Sequence, residues 1–302
     1  MKKALCGVIL LLLLGFGWNA LRQPWADDEA VIVVLEGDAP EWQEPQSARK
    51  MLTIGREEIS RGDLLLVNSR YPVSKGAKLP EVVNLSERPE LAEGIGIAGD
   101  GIELPPDLLR KFVEMVEAAR ADGVDQFLIT SGYRNEEKQA ELYERLGADY
   151  ANPPGHSEHN LGLSLDVGSS LGLMKDAPEG KWLEENAWKH GFVLRYPEDK
   201  TDITGIRHEP WHFRYVGLPH SAIMREQNRV LEEYLDYLKE QGRIQAEVNG
   251  TAYVVSYYSL KDSPSLSIPV SGSYTISGDN KDGVIVTTWG AGSPGAKEAG
   301  PS

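Results

Sequence analysis

The sequence contains a single cysteine, Cys6, among 302 residues. A lone cysteine forms no intramolecular disulfide, and it cannot supply the thiolates of a cysteine-rich zinc site. Basic residues are also scarce: 31 Lys and Arg stand against 46 Asp and Glu, which gives a formal net charge of −15. This charge argues against nucleic acid and anionic lipid headgroups as electrostatic partners.

Long apolar runs are missing except at the N-terminus. There Met1-Lys2-Lys3 precedes an apolar stretch that continues to Leu21. A basic start followed by an apolar run predicts that residues 1–21 are a secretory signal or an N-terminal membrane anchor, with the rest of the chain exported. Because the small-residue cleavage sites that follow are poor, we expect a retained anchor. The alternative is an ordinary signal peptide that releases the protein.

Composition divides the rest of the sequence into four segments. Residues 22–58 are acidic and punctuated by prolines, which indicates a tether, although residues 30–35 form one β-like run. Residues 59–242 have the composition of a globular domain. Residues 243–289 are rich in β-forming residues interrupted by turn sequences, which predicts a small β-rich appendage. Residues 290–302 are mostly Gly, Ala, Ser and Pro and are predicted to be a disordered tail.

The globular segment contains both helical and strand patterns. Apolar residues at helical spacing predict helices over residues 105–121, 135–146 and 221–241. Runs of β-forming residues predict strands, among them residues 64–68 and 126–130. The mixture indicates an α+β fold.

The first motif that carries chemistry is a loop followed by a strand, over residues 153–167. From residue 161 onward every second residue is apolar, the pattern of a half-buried strand. Asp166 lies on the polar face, where an aspartate has a large desolvation cost unless something compensates it. A cation supplies that compensation, and the preceding loop offers His159 as a further ligand.

The second motif lies at residues 207–217. Its aromatic residues occupy every second position from 211 to 215, which predicts a strand with His212 on the opposite face. His159, Asp166 and His212 then form a set of three ligands. Three protein ligands with an open fourth position are typical of a catalytic zinc, whereas a structural zinc usually has four. Glu209 is a candidate general base for a metal-bound water.

The same segment matches a different zinc motif by its letters alone. His208 to His212 reads H-E-x-x-H, a pattern that binds zinc only on a helix, where the two histidines share a face. Pro210 occupies the middle of the motif, and proline inside a helix costs about 3 kcal/mol. We therefore interpret His208 as a flanking residue and not as a ligand.

Arg134 follows a predicted strand at Ser131-Gly132-Tyr133-Arg134. At that position its guanidinium can stabilise charge on a carbonyl oxygen or bind a substrate carboxylate. The alternative is a surface arginine paired with Glu136 or Glu137. Gln139, one turn into the following helix, is by itself an ordinary surface glutamine.

These motifs together resemble the VanY-type D,D-carboxypeptidases. The resemblance is carried by Ser-x-His-x-x-Gly-x-x-x-Asp at residues 157–166, by Glu-Pro-Trp-His at residues 209–212, and by the Ser-Gly-Tyr-Arg sequence. The group includes the D-Ala-D-Ala dipeptidases, and the hedgehog signalling domain shares its fold. Where the family often has Gln and Ala, this chain has Asn160 and Ser164, which removes no ligand.

The resemblance implies a single α+β catalytic domain with a mainly antiparallel sheet and flanking helices. It also implies one Zn2+ ion per chain and a metal-dependent, not serine-dependent, reaction. The implied roles are as follows: His159, Asp166 and His212 hold the metal, Glu209 is the base, Arg134 polarises the scissile carbonyl, and Ser157 and Gln139 face the substrate.

The expected function is removal of the C-terminal D-alanine from peptidoglycan pentapeptide stems or their precursors. The enzyme then acts on the outer face of the bacterial cytoplasmic membrane, or in the cell wall if it is released. One alternative is an L,D-carboxypeptidase acting on tetrapeptide stems, or an endopeptidase, because ligands set the reaction type while pocket loops set the substrate. A zinc-binding module without turnover is a third reading, and the presence of Glu209 and Arg134 argues against it.

Overall fold

The computed structural model describes residues 32–36, 49–260, 265–269 and 272–290. The predicted signal or anchor at residues 1–21, most of the predicted tether and the tail from residue 291 lie outside these ranges. Within the described part of the chain, no helix is both long enough and apolar enough to span a lipid bilayer.

Strands and helices alternate through the main segment. The strands are β1 (Ile32–Glu36), β2 (Arg49–Thr53), β3 (Val83–Asn84), β4 (Gly96–Ile97), β5 (Glu103–Leu104), β6 (Phe127–Ser131), β7 (Ser164–Ser169), β8 (Phe192–Leu194), β9 (His212–Tyr215), β10 (Arg243–Val248), β11 (Thr251–Ser259), β12 (Ser265–Pro269), β13 (Gly272–Gly278) and β14 (Gly283–Gly290). The α-helices are α1 (Pro106–Ala121), α2 (Glu136–Leu146), α3 (Pro178–Asn186), α4 (Thr201–Thr204), α5 (His220–Glu226) and α6 (Leu231–Gln241).

The central sheet has the strand order β4-β6-β7-β9-β8. The β4–β6 pair is parallel, and the remaining pairs in this sheet are antiparallel. The register places Asp166 of β7 opposite His212 of β9 on one side and opposite Ser131 of β6 on the other. The mainly antiparallel α+β fold that the sequence predicts is therefore confirmed, and three sequence motifs meet on adjacent strands.

Helix α1 covers one face of the central sheet. Leu109, Phe112 and Val116 are buried and belong to the same hydrophobic cluster as Leu165 and Phe213 of the sheet. Each fully buried side chain of this size contributes about 1.5–3 kcal/mol relative to exposure. The strands that carry the functional residues are thus fixed from behind by an apolar layer.

A second sheet has the order β1-β10-β11-β14-β13. Its residues Ile244, Val255 and Ile285 share one hydrophobic cluster with Leu235 of α6 and Val216 beyond β9. Helix α6 precedes the boundary predicted after residue 242 and packs against the sheet that follows it. The segments on the two sides of this boundary therefore share one hydrophobic core. The β-like run within the predicted tether pairs with β10 as strand β1.

The predicted strand at residues 64–68 is buried but is not a strand. Its backbone groups are bound individually: Leu64 N donates to Ser277 Oγ at 2.8 Å, Leu66 N donates to Asp279 O at 3.2 Å, and Leu66 O accepts from Asn280 Nδ2 at 2.9 Å. Buried backbone groups need partners but not a neighbouring strand. Here the partners come from β13 and from the turn between β13 and β14, which the local sequence does not reveal.

The single helix predicted over residues 221–241 is two helices. Helix α5 ends at Glu226, Asn228 has φ 48°, and Val230 is extended before α6 begins. Glu233 Oε2 accepts a hydrogen bond from Val230 N at 3.1 Å, which caps the new helix. The apolar spacing continues across the break, so periodicity alone does not detect it.

Candidate active site

Two adjacent strands and one short helix bring the three predicted ligands together. Asp166 and His212 face each other across β7 and β9. His159 belongs to a 3-10 helix, Glu158–Leu161, that precedes β7. Gly162 ends this helix with φ 66°, and a Cβ atom there would lie 2.7 Å from two proline side chains. Only glycine therefore fits this turn, which joins the histidine to the strand that carries the aspartate.

The three ligand atoms form a compact triangle. His159 Nε2 lies 3.3 Å from Asp166 Oδ1, His212 Nδ1 lies 3.0 Å from the same oxygen, and the two imidazole nitrogens are 3.3 Å apart. Ligands about 2.0–2.1 Å from a tetrahedral zinc are separated by about 3.3–3.4 Å. The triangle therefore has the size of one face of a zinc coordination tetrahedron.

The surroundings of the triangle also fit a cation. Asp166 Oδ1 is buried and has no hydrogen-bond partner among the described residues. An unpaired buried carboxylate oxygen is costly unless a positive charge meets it. The carbonyl oxygen of Gly132 accepts a hydrogen bond from His159 Nδ1 at 2.6 Å, which leaves Nε2 free to bind a metal. Two imidazoles and one carboxylate with an open side suit zinc.

Glu209 lies beside the triangle, on the turn before β9. Its backbone N donates to Tyr196 O and its backbone O accepts from His212 N, which fixes the turn. Glu209 Oε2 is 3.8 Å from His212 Nδ1. Burial raises the pKa of Glu209 to about 7, an increase that His212 and Arg134 oppose and Asp166 supports. A carboxylate poised near neutrality is suited to accept and return a proton.

His208 is not part of the group. Within the described ranges, the group that could hold a metal is His159, Asp166 and His212, and the segment before His212 is a turn, not a helix. The structure thus agrees with the interpretation that the literal H-E-x-x-H match is accidental.

Arg134 points into the site and not towards the surface. Its Nη2 atom lies 3.4 Å from Asp166 Oδ2, and Nη1 donates to Gln139 Oε1 at 3.1 Å. The backbone is tied down as well, because Arg134 O accepts from Asn160 Nδ2 at 2.6 Å. The guanidinium is therefore held beside the metal ligands, where it must lie if Arg134 polarises the scissile carbonyl.

Ser157 and Gln139, which the resemblance implies face the substrate, form hydrogen bonds within the protein. Ser157 Oγ accepts from His159 N at 3.3 Å, so the serine caps the helix that carries the ligand. Gln139 is buried, accepts from Arg134, and donates from Nε2 to Asn152 O at 2.6 Å. Neither side chain lines the cavity in front of the triangle. These contacts tie Ser157 to His159 and Gln139 to Arg134, and a substrate-facing role for the two side chains stays a prediction.

The cavity has a volume of about 960 Å³. Asp166, Glu209 and Arg134 are among the residues that line it. Trp211, Tyr150, residues from α2, and residues 100–102 and 130–133 also line it, so the cavity is larger than a single terminal amino acid requires. The site therefore has room for an extended ligand.

A buried carboxylate that the sequence did not identify lies directly behind the triangle. Glu158 is 1% exposed, and its Oε1 accepts from Arg195 Nε at 2.7 Å and from Arg214 Nη1 at 2.8 Å. Burial disfavours its charge, but the two arginines outweigh burial and lower the pKa of Glu158 below its ordinary value. The only sequence signal is one arginine directly after β8 and one within β9, each between apolar or aromatic residues.

Known proteins are similar to this chain in sequence. Residues 101–218 match the VanY family, described as D-alanyl-D-alanine carboxypeptidase. A D-alanyl-D-alanine carboxypeptidase of Enterococcus faecium is 48% identical over 293 residues, which cover 96% of this chain and 97% of that protein. The bifunctional D-Ala-D-Ala dipeptidase and D-Ala-D-Ala carboxypeptidase VanXYC of Enterococcus gallinarum is 36% identical over 197 residues, or 60% of this chain and 97% of that protein.

A solved structure resembles the fold over most of its length. The vancomycin resistance D,D-dipeptidase VanXYg, in complex with a D-Ala-D-Ala phosphinate analogue, superposes with a TM-score of 0.67 and 32% sequence identity. The match covers 80% of this chain and 99% of that one.

Proposed function

The chain belongs to the VanY family of D-alanyl-D-alanine carboxypeptidases, and we propose that it removes the terminal D-alanine from peptidoglycan stem pentapeptides or their precursors. The observation that carries the proposal is the His159, Asp166 and His212 triangle, which opens on a cavity beside the buried Glu209. The D,D reaction agrees with the names of both relatives described above.

The reaction needs a polarised carbonyl and an activated water. A divalent cation held by the triangle, for which zinc fits best, supplies Lewis acidity. Glu209 takes the proton of the attacking water and then delivers it to the amine of the departing D-alanine. Burial raises the pKa of Glu209 to about 7, so the carboxylate can both accept and return a proton near neutral pH.

Arg134 contributes a fixed positive charge to the same site. Charge develops on the scissile carbonyl oxygen as water attacks, and a pre-oriented guanidinium stabilises it without reorganisation. The hydrogen bond to Gln139 and the contact with Asp166 hold Arg134 in that orientation. A zinc-binding module without turnover does not need this pairing of a buried base and an oriented cation.

Product analysis tests the proposal. The full chain is incubated with a pentapeptide that ends in D-Ala-D-Ala, with a tetrapeptide that ends in one D-alanine, and with the dipeptide D-Ala-D-Ala. We expect D-alanine from the pentapeptide, its loss with a chelator, and its recovery on addition of Zn2+. Release from the tetrapeptide alone would select the L,D alternative, and no release from any substrate would select the non-catalytic module.

The dipeptide arm examines a second activity. VanXYC and VanXYg are both named as dipeptidases, and each is matched along nearly its whole length. Turnover of D-Ala-D-Ala itself would assign the same dual activity to this chain. Turnover of the pentapeptide alone would make it a strict carboxypeptidase.

We also propose that the enzyme is exported and held at the outer face of the cytoplasmic membrane. Support comes from Lys2 and Lys3 before the N-terminal apolar run, and from a substrate that belongs to the cell wall. Fractionation of cells that express a C-terminally tagged chain tests this. Recovery in the membrane fraction with protease access from outside is expected, and a tag in the medium would indicate a cleaved signal.

A further inference from the structure

One face of helix α2 forms a wall of the catalytic cavity beyond the residues that the reaction uses. Positions three and four apart on an α-helix share a side, so such a face is continuous. The cavity-lining residues of α2 follow this spacing: Lys138, Glu141, Leu142, Arg145 and Leu146. The wall therefore extends along the helix away from the metal ligands.

Arg145 is the unpaired cation of this wall. Lys138 Nζ donates to Glu103 Oε2 at 3.2 Å. Within the part of the chain that the structure describes, no carboxylate oxygen lies within 4.0 Å of the Arg145 guanidinium, although Glu141 and Glu144 are neighbours on the helix. In a chain of net charge −15, an arginine left free in the catalytic cavity is available for an acidic ligand.

The position of Arg145 sets which part of a ligand it reaches. Gln139 marks the level of the reaction centre, because it binds Arg134 beside Asp166. Since a helix advances about 1.5 Å per residue, Arg145 lies roughly 9 Å farther along the axis. An extended peptide advances about 3.3–3.6 Å per residue, so this distance corresponds to two or three residues.

Apolar and aromatic side chains in the lining of the same cavity are exposed. Leu146, Tyr150 and Trp211 line it while keeping 45%, 42% and 36% of their surface accessible. Tyr150 is held in place, because Arg207 Nη1 donates to its hydroxyl at 3.1 Å and the guanidinium lies 5.2 Å from the ring centroid. A pre-oriented aromatic ring binds with little loss of side-chain entropy.

We propose that Arg145, Tyr150 and Trp211 form a distal subsite that selects peptides with a carboxylate side chain two or three residues before the scissile bond. Arg145 pairs with that carboxylate, and the two rings pack against the peptide stem. The subsite rests on the proposed function, since it binds the part of the substrate that remains in the product after D-alanine is released. The terminal carboxylate is one residue from the scissile carbonyl, which is too close for Arg145 and within reach of Arg134.

Charge-matched substrates test the subsite. One is a blocked tripeptide, acetyl-Ala-D-Ala-D-Ala, which has no side-chain carboxylate and no third residue before the scissile bond. The others are longer peptides with the same D-Ala-D-Ala end and either glutamate or glutamine at the third residue before the scissile bond. The native enzyme should prefer the glutamate peptide in kcat/KM, and higher salt should reduce the preference.

Three variants distinguish recognition of the substrate carboxylate from a general loss of activity. Arg145→Gln should lower kcat/KM on the glutamate peptide by about five- to tenfold and leave the glutamine peptide and the tripeptide within about twofold. Arg145→Glu should reverse the preference towards a peptide with lysine at that position. Arg110→Gln makes the same change of net charge on the exposed face of α1 and should leave every rate unchanged.

Each result has a defined meaning. Equal losses on all three substrates in Arg145→Gln would overturn the proposal, because Arg145 would then serve the terminal carboxylate or the fold. An unchanged glutamate preference would overturn it as well. Failure of the native enzyme to cleave even the tripeptide would instead remove the proposed function. Tyr150→Ala, a change at the rim, should lower kcat/KM on both longer peptides and spare the tripeptide.

Discussion

The Nε2 atom of His212 lies 3.5 Å from Oε2 of Glu158, on the opposite side of the imidazole from the nitrogen that faces Asp166. Among the described residues, neither atom has a hydrogen-bond partner of ideal geometry. When Nδ1 of a neutral histidine holds a cation, Nε2 must carry the ring proton, and it needs an acceptor. Glu158 is the carboxylate placed to accept it.

Glu158→Gln should therefore weaken metal binding by about 10- to 100-fold, because the amide orients and polarises His212 less well than the carboxylate. Competition with a chromophoric chelator measures the affinity on folded protein. Loss of the charge also leaves Arg195 and Arg214 under-compensated, so the free energy of unfolding should fall by about 3 kcal/mol or more.

A matched control separates the two effects. Glu232 Oε1 accepts from Arg195 Nη2 at 2.7 Å, and Glu232 has no contact with His212. Glu232→Gln should destabilise the protein by removing a carboxylate from the same arginine, with metal affinity unchanged. Equal metal affinities in the two variants would show that Glu158 acts on stability alone.

Glu209→Gln should keep the metal and lose the reaction. The amide preserves the size of the side chain but cannot accept the proton of water, so kcat/KM should fall by about 100- to 10,000-fold.

Because the reaction needs the ionised carboxylate, native kcat/KM should rise with pH through an apparent pKa no higher than about 7, the value that burial gives Glu209. A bound cation nearby favours ionisation and moves this limb to lower pH.

Metal content and the pH profile check the prediction together. A Glu209→Gln protein that retains bound zinc and turns over near the native rate would show that another group is the base. An acid limb that persists in the residual activity of the variant would lead to the same conclusion.

The residues of the metal triangle were predictable because their signal is local. Asp166 on the polar face of an alternating strand and His212 on another both follow from period-two patterns, and the pairing of β7 with β9 completes the site. Glu158 carries no such signal. Its burial depends on Arg195 and Arg214, which come from other elements of the fold. From the sequence alone, a glutamate beside a metal ligand is expected to be exposed, as most glutamates are.

The same distinction explains the errors in the fold. The helix predicted over 221–241 breaks where Asn228 adopts a left-handed conformation, although the apolar positions on both sides keep their spacing. Residues 64–68 are apolar and buried as expected, but their backbone partners lie more than 200 positions later. Periodicity identified burial in both cases, whereas the hydrogen-bond partners are tertiary information.

Gln139 should act only through Arg134. Gln139→Ala removes the acceptor that orients the guanidinium, so kcat should fall by about tenfold or more while KM changes little. In an Arg134→Ala background the same substitution should have almost no further effect, because there is no guanidinium left to orient. Double-mutant kinetics measure this coupling, and additive losses would mean that Gln139 serves the substrate directly, as the resemblance implies.

His220 should make the protein sensitive to acid. It lies buried between α6 and the second sheet, with Nδ1 2.8 Å from Tyr234 Oη and Nε2 3.0 Å from Thr287 Oγ1, and burial lowers its pKa to about 3. Below pH 6.5 the unfolded chain protonates this histidine and the folded chain does not, so stability falls as pH falls towards 3. Between pH 7.5 and 5.5 the loss from this residue should be about 1.4 kcal/mol.

Urea denaturation of His220→Gln at several pH values isolates the contribution of this histidine. The variant should be less stable than the native chain at pH 7.5, but it should lose about 1.4 kcal/mol less on acidification to pH 5.5. Tyr234→Phe removes the hydroxyl that contacts His220 and keeps the titrating ring, so it should lower stability and retain the native pH dependence. If His220→Gln and Tyr234→Phe have the same slope with pH, the buried histidine is not neutral in the folded state.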